Sequence, residues 1–181
     1  MDLSQRKILI ARDKIAERVQ AMGRQIHADY RASEHPLVVI SVLKGAIPFT
    51  ADLIRAIDLP LRLEVLVASS YGSGTVSSGK VALKYRSFED LTDCDVILVD
   101  DIIDTGYTLK AIGETLADFH PHHVAYCTFL NKPDRREADI AVDYIGYDIP
   151  DKFVVGYGLD YDSKYRELAD IYTIESQGEE E

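Results

Sequence analysis

The chain has 181 residues, a hydrophobic share of 46 % and a formal net charge of −11. That length suits one domain with a core of its own, held by neither disulfides nor metal. The acidic balance excludes general nucleic-acid binding, which needs a basic face for phosphate contacts. No run approaches the ~18 apolar residues of a membrane span.

The opening stretch MDLSQRKILIARDK has too short an apolar core, and no small-residue cleavage site, for a signal peptide. Cys94 and Cys127 make no framework, and each reads as a small buried hydrophobe. A cytoplasmic location is therefore expected. Residues 1–174 read as one domain, and ESQGEEE (175–181) as an acidic, disordered tail.

In chain order, Ile15, Val19, Met22 and Ile26 recur at helical spacing, which predicts an amphipathic helix over 11–30. A buried strand LVVISV (37–42), a turn LKG (43–45) and a helix over 46–57 follow. LRLEVLV (61–67) alternates apolar and polar residues for most of its length and reads as a strand, as does the stretch with Val81, Leu83 and Tyr85. Next come a continuous apolar strand DVILVDD (95–101), a loop DTGYT (104–108), a helix to about Phe119, a buried strand VAYCTFL (124–130) and a loop NKPDRRE. Short strands are expected at 142–147 and 153–157, a helical turn near 165–170 and a last strand at 171–174. Apolar strands alternating with helices predict an α/β protein with a Rossmann-like, mostly parallel sheet covered on both faces. In such sheets ligands sit at the carboxyl ends of the strands.

Two glycine-bearing segments carry chemistry. YGSGTVSSGK (71–80) has Gly74, Gly79 and Lys80 spaced as in a phosphate-cradling P-loop. Val81 replaces the required hydroxyl residue, however, and a strand rather than a helix follows. The P-loop reading fails, leaving a flexible connection or a mobile lid. VILVDDIIDTGYT (96–108) is the stronger signal. Its strand delivers Asp100 and Asp101 to the carboxyl edge of the sheet. Asp104 then opens a loop in which Thr105, Gly106 and Thr108 precede a helix. Hydroxyls, a close-approaching glycine and a helix N-terminus suit a phosphate monoester. The neighbouring acids suit ribose hydroxyls with magnesium nearby. The plainer reading, solvated strand-end acids with Asp104 as an N-cap, loses ground once DTGYT is attached.

These motifs resemble the phosphoribosyltransferases, whose fingerprint is an apolar strand, two acids, two apolar residues and D-T/S-G-x-T. Within them the chain is similar to the 6-oxopurine branch, the hypoxanthine(-guanine) phosphoribosyltransferases. The likeness runs from about Leu37 to Ile174, through LKG (43–45), SSYGSGT (69–75), KP (132–133) and DKFVVGYGLDY (151–161). The resemblance implies the type I phosphoribosyltransferase fold, with a small hood formed by the chain ends. It implies transfer of the 5-phosphoribosyl group from phosphoribosyl pyrophosphate to a 6-oxopurine, with Mg2+.

On that resemblance Asp100 and Asp101 would hold the ribose hydroxyls and order water around magnesium, and Asp104 would accept the purine N7 proton. Thr105, Gly106, Tyr107 and Thr108 would wrap the 5′-phosphate. Lys44, Gly45 and Arg166 would meet pyrophosphate, and the Leu43–Lys44 bond can be cis in the family. Lys132 would donate to O6, Phe153 would stack on the base and Val154 would read its edge. Asp160 would bind a second magnesium, and Ser70 and Tyr71 would close as a lid. The family usually has Glu where this chain has Asp100. Its members are commonly dimers or tetramers, so a homodimer or homotetramer is expected, with no membrane partner. Two alternatives remain: a xanthine- or hypoxanthine-restricted transferase, and a non-catalytic sensor of phosphoribosyl pyrophosphate that binds nucleic acid. The acidic chain lacks the basic face such a sensor needs. The cluster HPHH (120–123) reads as a polar helix–strand loop in preference to a zinc site.

Overall fold

The computed structural model describes residues 6–70, 81–84 and 88–174. Tyr71 and the rest of the 71–80 segment, the continuation of the third predicted strand at Tyr85, and the 175–181 tail lie outside these residues.

The central sheet runs β4-β3-β2-β5-β6-β7. Its strands are β2 (Leu37–Leu43), β3 (Arg62–Ser70), β4 (Val81–Lys84), β5 (Asp95–Ile103), β6 (His123–Asn131) and β7 (Tyr144–Asp148). All neighbours pair parallel except β3 and β4. The continuous apolar runs of β2 and β5 follow from burial on both faces. Val39, Ile97, Val99, Cys127 and Phe129 face helices α1 (Arg12–Tyr30) and α2 (Ile47–Ile57), while Val38, Ile40, Val96 and Leu98 face α3 (Tyr107–Ala117). In α1 the buried residues include Ile15, Val19, Met22 and Ile26, the stripe that the helical spacing predicts. Cys94 and Cys127 are both free and buried, and burial pushes the Cys127 thiol far above its usual range.

A second, three-stranded sheet in the order β1-β9-β8 is built from β1 (Lys7–Ile10), β8 (Val154–Val155) and β9 (Ile171–Thr173). It is the hood expected from the chain ends. Three local expectations need correction, at 142–147, 153–157 and 165–170, and one strand, β1, is unexpected. The periodicity of the N-terminal stretch gives no sign of β1, because four residues gain strand character only by pairing with β9. The strand expected over 153–157 is confined to Val154 and Val155, because the chain turns at Gly156, whose φ is +99°. The segment 165–170 forms turns, not helix: Tyr165 has φ +77°, and the Tyr157 and Gly158 N–H groups donate to the Leu168 and Arg166 carbonyls. Strand β7 also begins at Tyr144, two residues later than expected.

One carboxylate fastens the hood to the core. No side chain of the local sequence caps α1 at Ala11. Asp170 does so from across the chain: its Oδ1 accepts the Arg12 backbone N–H at 2.8 Å, and the Arg12 guanidinium donates to both oxygens, at 3.1 and 2.8 Å. The Tyr172 hydroxyl donates to Oδ2 as well, at 3.1 Å. At the amino ends of the strands, remote from the strand ends where ligands bind, the His122 Nδ1–H donates to Asp95 at 2.7 Å and the ring stacks on His35.

The hydrogen bonds from Arg12 hold the Asp170 carboxyl far below the usual carboxylate range. Stability from this group is therefore present above the ordinary value of about 3.9 and drains away as pH falls below it. Asp170→Asn is expected to lower the thermal midpoint at pH 7 by a few degrees. It should also flatten the loss of stability between about pH 4 and pH 2, as followed by circular dichroism melts.

Candidate active site

The carboxyl ends of β5 and β6 and the loop before β8 converge on a cleft of about 280 Å³. Asp101, Ile102, Asp104, Lys132, Phe153, Val154, Leu159 and Asp160 line it. A 320 Å³ cleft between β1 and β7, lined by residues such as Leu9, Ile10 and Tyr147, contains none of these acids.

The floor is a close meeting of the 43–45 loop, the Asp101 carboxylate and the hood turn. The Leu43–Lys44 peptide bond is cis, as the resemblance allowed, and Gly45 lies so close to Asp101 that a Cβ there would sit 1.7 Å from its Oδ2. Gly158, with φ +98°, presses on the same loop from the hood side: a Cβ there would fall 2.0 Å from the Gly45 carbonyl oxygen. Gly158 needs glycine for both its φ and the nearby backbone oxygen, while a side chain at Gly45 would have to displace the Asp101 carboxylate. The Tyr157 hydroxyl bonds Asp52 of α2 at 2.8 Å and keeps this hood turn against the core.

Asp100 and Asp101 sit side by side at the end of β5. Asp100 is 8 % exposed, does not line the cleft, and accepts the Asp101 backbone N–H at 3.0 Å. Burial, and then the charge of Asp101, push Asp100 well above the usual carboxylate range; burial raises Asp101 too. The pair is thus a store of unfavourable negative charge that a cation would relieve. Among the described residues no group of three or more His, Cys, Asp or Glu side chains forms a ready-made metal cage.

Asp104 opens the loop before α3. Gly106, with φ +88°, is the N-cap, and the first helical turn contains no acid. The first N–H groups of α3, from Tyr107 and Thr108 onward, have no acceptor within the helix, which makes this end receptive to an anion. The loop is braced from behind, because the Thr105 carbonyl accepts N–H groups from Glu137 and Ala138 at 3.1 and 2.9 Å. The Asp104 carboxylate accepts from Arg135 Nε at 3.1 Å, and its backbone carbonyl accepts from Arg136 Nε at 3.2 Å.

On the opposite wall Lys132 is 9 % exposed, and its ammonium donates to Asp151 at 3.1 Å. Phe153 is 45 % exposed, a high value for an aromatic ring, and meets Tyr161 edge-on. Val154 is buried beside it. Asp160 is held by Arg166 at 2.6 Å and by the Ser163 N–H at 2.9 Å, and Arg166 also donates to the Gly158 carbonyl at 2.6 Å. Of the residues singled out from the sequence, Asp101, Asp104, Lys132, Phe153, Val154 and Asp160 share the cleft. Lys44, Gly45 and Arg166 are not among its lining residues: Gly45 abuts Asp101 behind it, Lys44 precedes Gly45 in the chain, and Arg166 reaches the cleft's edge through Asp160 and the Gly158 carbonyl. Ser70 ends β3, and Tyr71 lies outside the described residues. Sequence reasoning missed Arg135 and Asp151, although both lie inside quoted motifs; surface charges next to a turn give no signal of their partners.

The phosphoribosyl transferase domain model matches residues 6–162. The hypoxanthine-guanine phosphoribosyltransferase of Mycobacterium avium is 44 % identical over 94 % of this chain and 86 % of its own. The chain belongs to the hypoxanthine-guanine phosphoribosyltransferase family. The hypoxanthine phosphoribosyltransferase of Salmonella typhimurium is 41 % identical over 90 % of this chain and 91 % of its own. A crystal structure of the hypoxanthine-guanine phosphoribosyltransferase from Bacillus anthracis superposes with a TM-score of 0.88 at 40 % identity, covering 93 % of this chain and 98 % of that one. As a hypoxanthine-guanine phosphoribosyltransferase family member the chain is a transferase of purine salvage with the type I fold.

The strained charge of the paired acids has a measurable consequence. A buried carboxyl whose folded value is raised costs nothing at low pH. It costs progressively more as pH rises through the ordinary carboxylate range. Asp100→Asn keeps the acceptor for the Asp101 N–H and removes the charge. Without ligands it should melt several degrees above the parent at pH 7, since about 1 kcal/mol is worth roughly 2–4 °C in a chain of this size. The gap should shrink towards pH 4, while transferase activity is lost.

Proposed function

We propose that this chain transfers the 5-phosphoribosyl group from phosphoribosyl pyrophosphate to hypoxanthine and guanine, giving the nucleoside monophosphate and pyrophosphate. The observation that carries the proposal is the shared cleft. A carboxylate, an ammonium and an exposed aromatic ring, Asp104, Lys132 and Phe153, converge there from three separate segments.

In the proposed reaction the purine lies against Phe153, with its edge along Val154 and its O6 accepting a hydrogen bond from the Lys132 ammonium. That donor favours an oxo group over the amino group of adenine, because a buried cation facing a donor is left unpaired. Asp104 accepts the N7 proton as purine N9 bonds to the ribose C1′, and the bond from C1′ to pyrophosphate breaks with its electron pair leaving on oxygen. The ring carries positive charge at the transition state, which the nearby carboxylates Asp100 and Asp101 favour electrostatically. These two also hold the ribose hydroxyls. Thr105, Gly106, Tyr107 and Thr108 hold the 5′-phosphate at the start of α3, while Lys44, Gly45 and Arg166 face pyrophosphate. Ser70 and Tyr71 are assigned to the closing lid that excludes water. Asp100, Asp101 and Asp160 would hold Mg2+, which when bound supplies positive charge to the departing pyrophosphate.

The same reading places the protein in the cytoplasm. Its two buried free thiols suit a reducing compartment, and no described helix is long and apolar enough to cross a membrane. A homodimer or homotetramer is proposed as the working form. Leu63, Val65 and Val67 leave one apolar face of β3 exposed, as expected of a surface that pairs with another copy.

The test is a spectrophotometric assay with Mg2+, phosphoribosyl pyrophosphate and each of hypoxanthine, guanine, xanthine and adenine. Turnover is expected with hypoxanthine and guanine and not with adenine. Asp104→Asn should lose about 10²–10⁴-fold in kcat while still binding the ribosyl donor. Donor binding without turnover of any base would leave a sensor in place of an enzyme.

A further inference from the structure

The two side chains assigned to the purine's N7/O6 edge are joined to each other by a line of alternating charges. Lys132 Nζ is 3.1 Å from Asp151 Oδ1, Asp151 Oδ2 is 3.8 Å from Arg135 Nε, and Arg135 Nε is 3.1 Å from Asp104 Oδ1. We propose that Arg135 and Asp151 are positioning residues that set the Asp104 carboxylate and the Lys132 ammonium, as one unit, at the spacing the base edge requires. This rests on the transferase reading above.

The backbone supports the arrangement. Lys132 enters a short 3-10 turn, Pro133–Arg135, tied to β5 by the Lys132 N–H donating to the Ile103 carbonyl at 3.0 Å. The same turn therefore fixes both cations, Lys132 and Arg135. Arg136 follows directly and donates to the Asp104 carbonyl and to the Asn131 side chain, the latter at 2.6 Å; Asn131 in turn donates to Asp148 at 2.6 Å. Adjacent arginines thus hold Asp104 at its side chain and at its main chain.

The working atoms stay free. Among the described residues the carboxylate of Asp104 is hydrogen-bonded only through Oδ1, which leaves Oδ2 to receive the N7 proton. The Lys132 ammonium has three donors and gives one to Asp151, which leaves two for O6. A purine can therefore enter without breaking the line. When Asp104 takes up the proton and becomes neutral, Arg135 still faces Asp151, so its charge keeps a counter-charge nearby. Arg135, Asp104 and Asp151 are each about half exposed, so their pairing adds little to stability. Its effect lies in geometry, where small displacements of reacting groups are costly.

The experiment compares Arg135→Ala, Arg135→Lys, Asp151→Ala and the double alanine variant with the parent. It reads kcat, KM for hypoxanthine, KM for phosphoribosyl pyrophosphate and the thermal midpoint. Arg135→Ala is expected to lower kcat about tenfold with the donor KM unchanged, and Arg135→Lys to recover much of that loss. Asp151→Ala is expected to raise the hypoxanthine KM about tenfold with little change in kcat. The double variant should lose less than the product of the single losses, because the two residues act on one line. Melting midpoints should stay within about 2 °C of the parent. Unchanged kinetics in both single variants, or tighter hypoxanthine binding in Arg135→Ala, would overturn the proposal; the latter would make Arg135 a latch. A parent that turns over no 6-oxopurine fails the transferase reading first and removes the basis of this one. A parent that is active beside indifferent variants fails this proposal alone.

Discussion

Everything at this site depends on a close approach made possible by two glycines, where the hood turn rests on the Gly45 carbonyl and the Asp101 carboxylate lies against the Gly45 Cα. The loop after β2, the carboxyl end of β5 and the hood turn at Gly158 meet at Gly45, where added Cβ atoms would lie 1.7 to 2.0 Å from the neighbouring oxygens. Close packing without a Cβ is what lets the 43–45 loop and the hood turn press against the acids that line the cleft. It also explains why the hood, a separate small sheet, behaves as a wall of the site. Its turn is seated on Gly45, tied to α2 by Tyr157 and closed by Arg166 on the Gly158 carbonyl.

Around that point the chain concentrates negative charge it could have avoided. Asp100 is almost wholly buried with a second carboxylate beside it, an arrangement that opposes folding and is kept only where function uses it. Cations are placed just beyond: Arg166 on Asp160, Arg135 on Asp104, Lys132 on Asp151. The net charge of −11 therefore says little about the substrate. An acidic protein can hold an anionic donor when the helix N-terminus at Gly106 and a few local cations do the holding.

The periodic elements were legible in the sequence, and so were most of the residues lining the cleft. Strands β2 and β5 show as unbroken apolar runs because both of their faces are covered, and α1 shows its stripe at Ile15, Val19, Met22 and Ile26. The motif VDDIIDTGYT announced a strand end, a loop and a helix start, and all three are present. What could not be read was whatever arises from pairing across the chain. Strand β1 exists through β9, the cap of α1 comes from Asp170, and 165–170 takes its turns from bonds to Tyr157 and Gly158. The charges of Arg135 and Asp151 were invisible for the same reason: a surface Arg reveals nothing of its partner until the fold sets them side by side.

The clasp between Arg12 and Asp170 has a further consequence for how the protein comes to exist. Its partners are separated by 158 residues, and β1 finds β9 over a similar stretch. During synthesis, at about 5–20 residues per second, β1 and the start of α1 emerge roughly 8–30 s before the segment that completes them. The central sheet has all its parallel strands available earlier, since β7 ends at Asp148. The order of emergence thus separates the protein into a scaffold that can assemble on the ribosome and a hood that closes only after nearly the whole chain has been made. The wall of the cleft that carries Phe153 and Val154 is the last part of the enzyme to form, because Val154 pairs with Thr173 of β9.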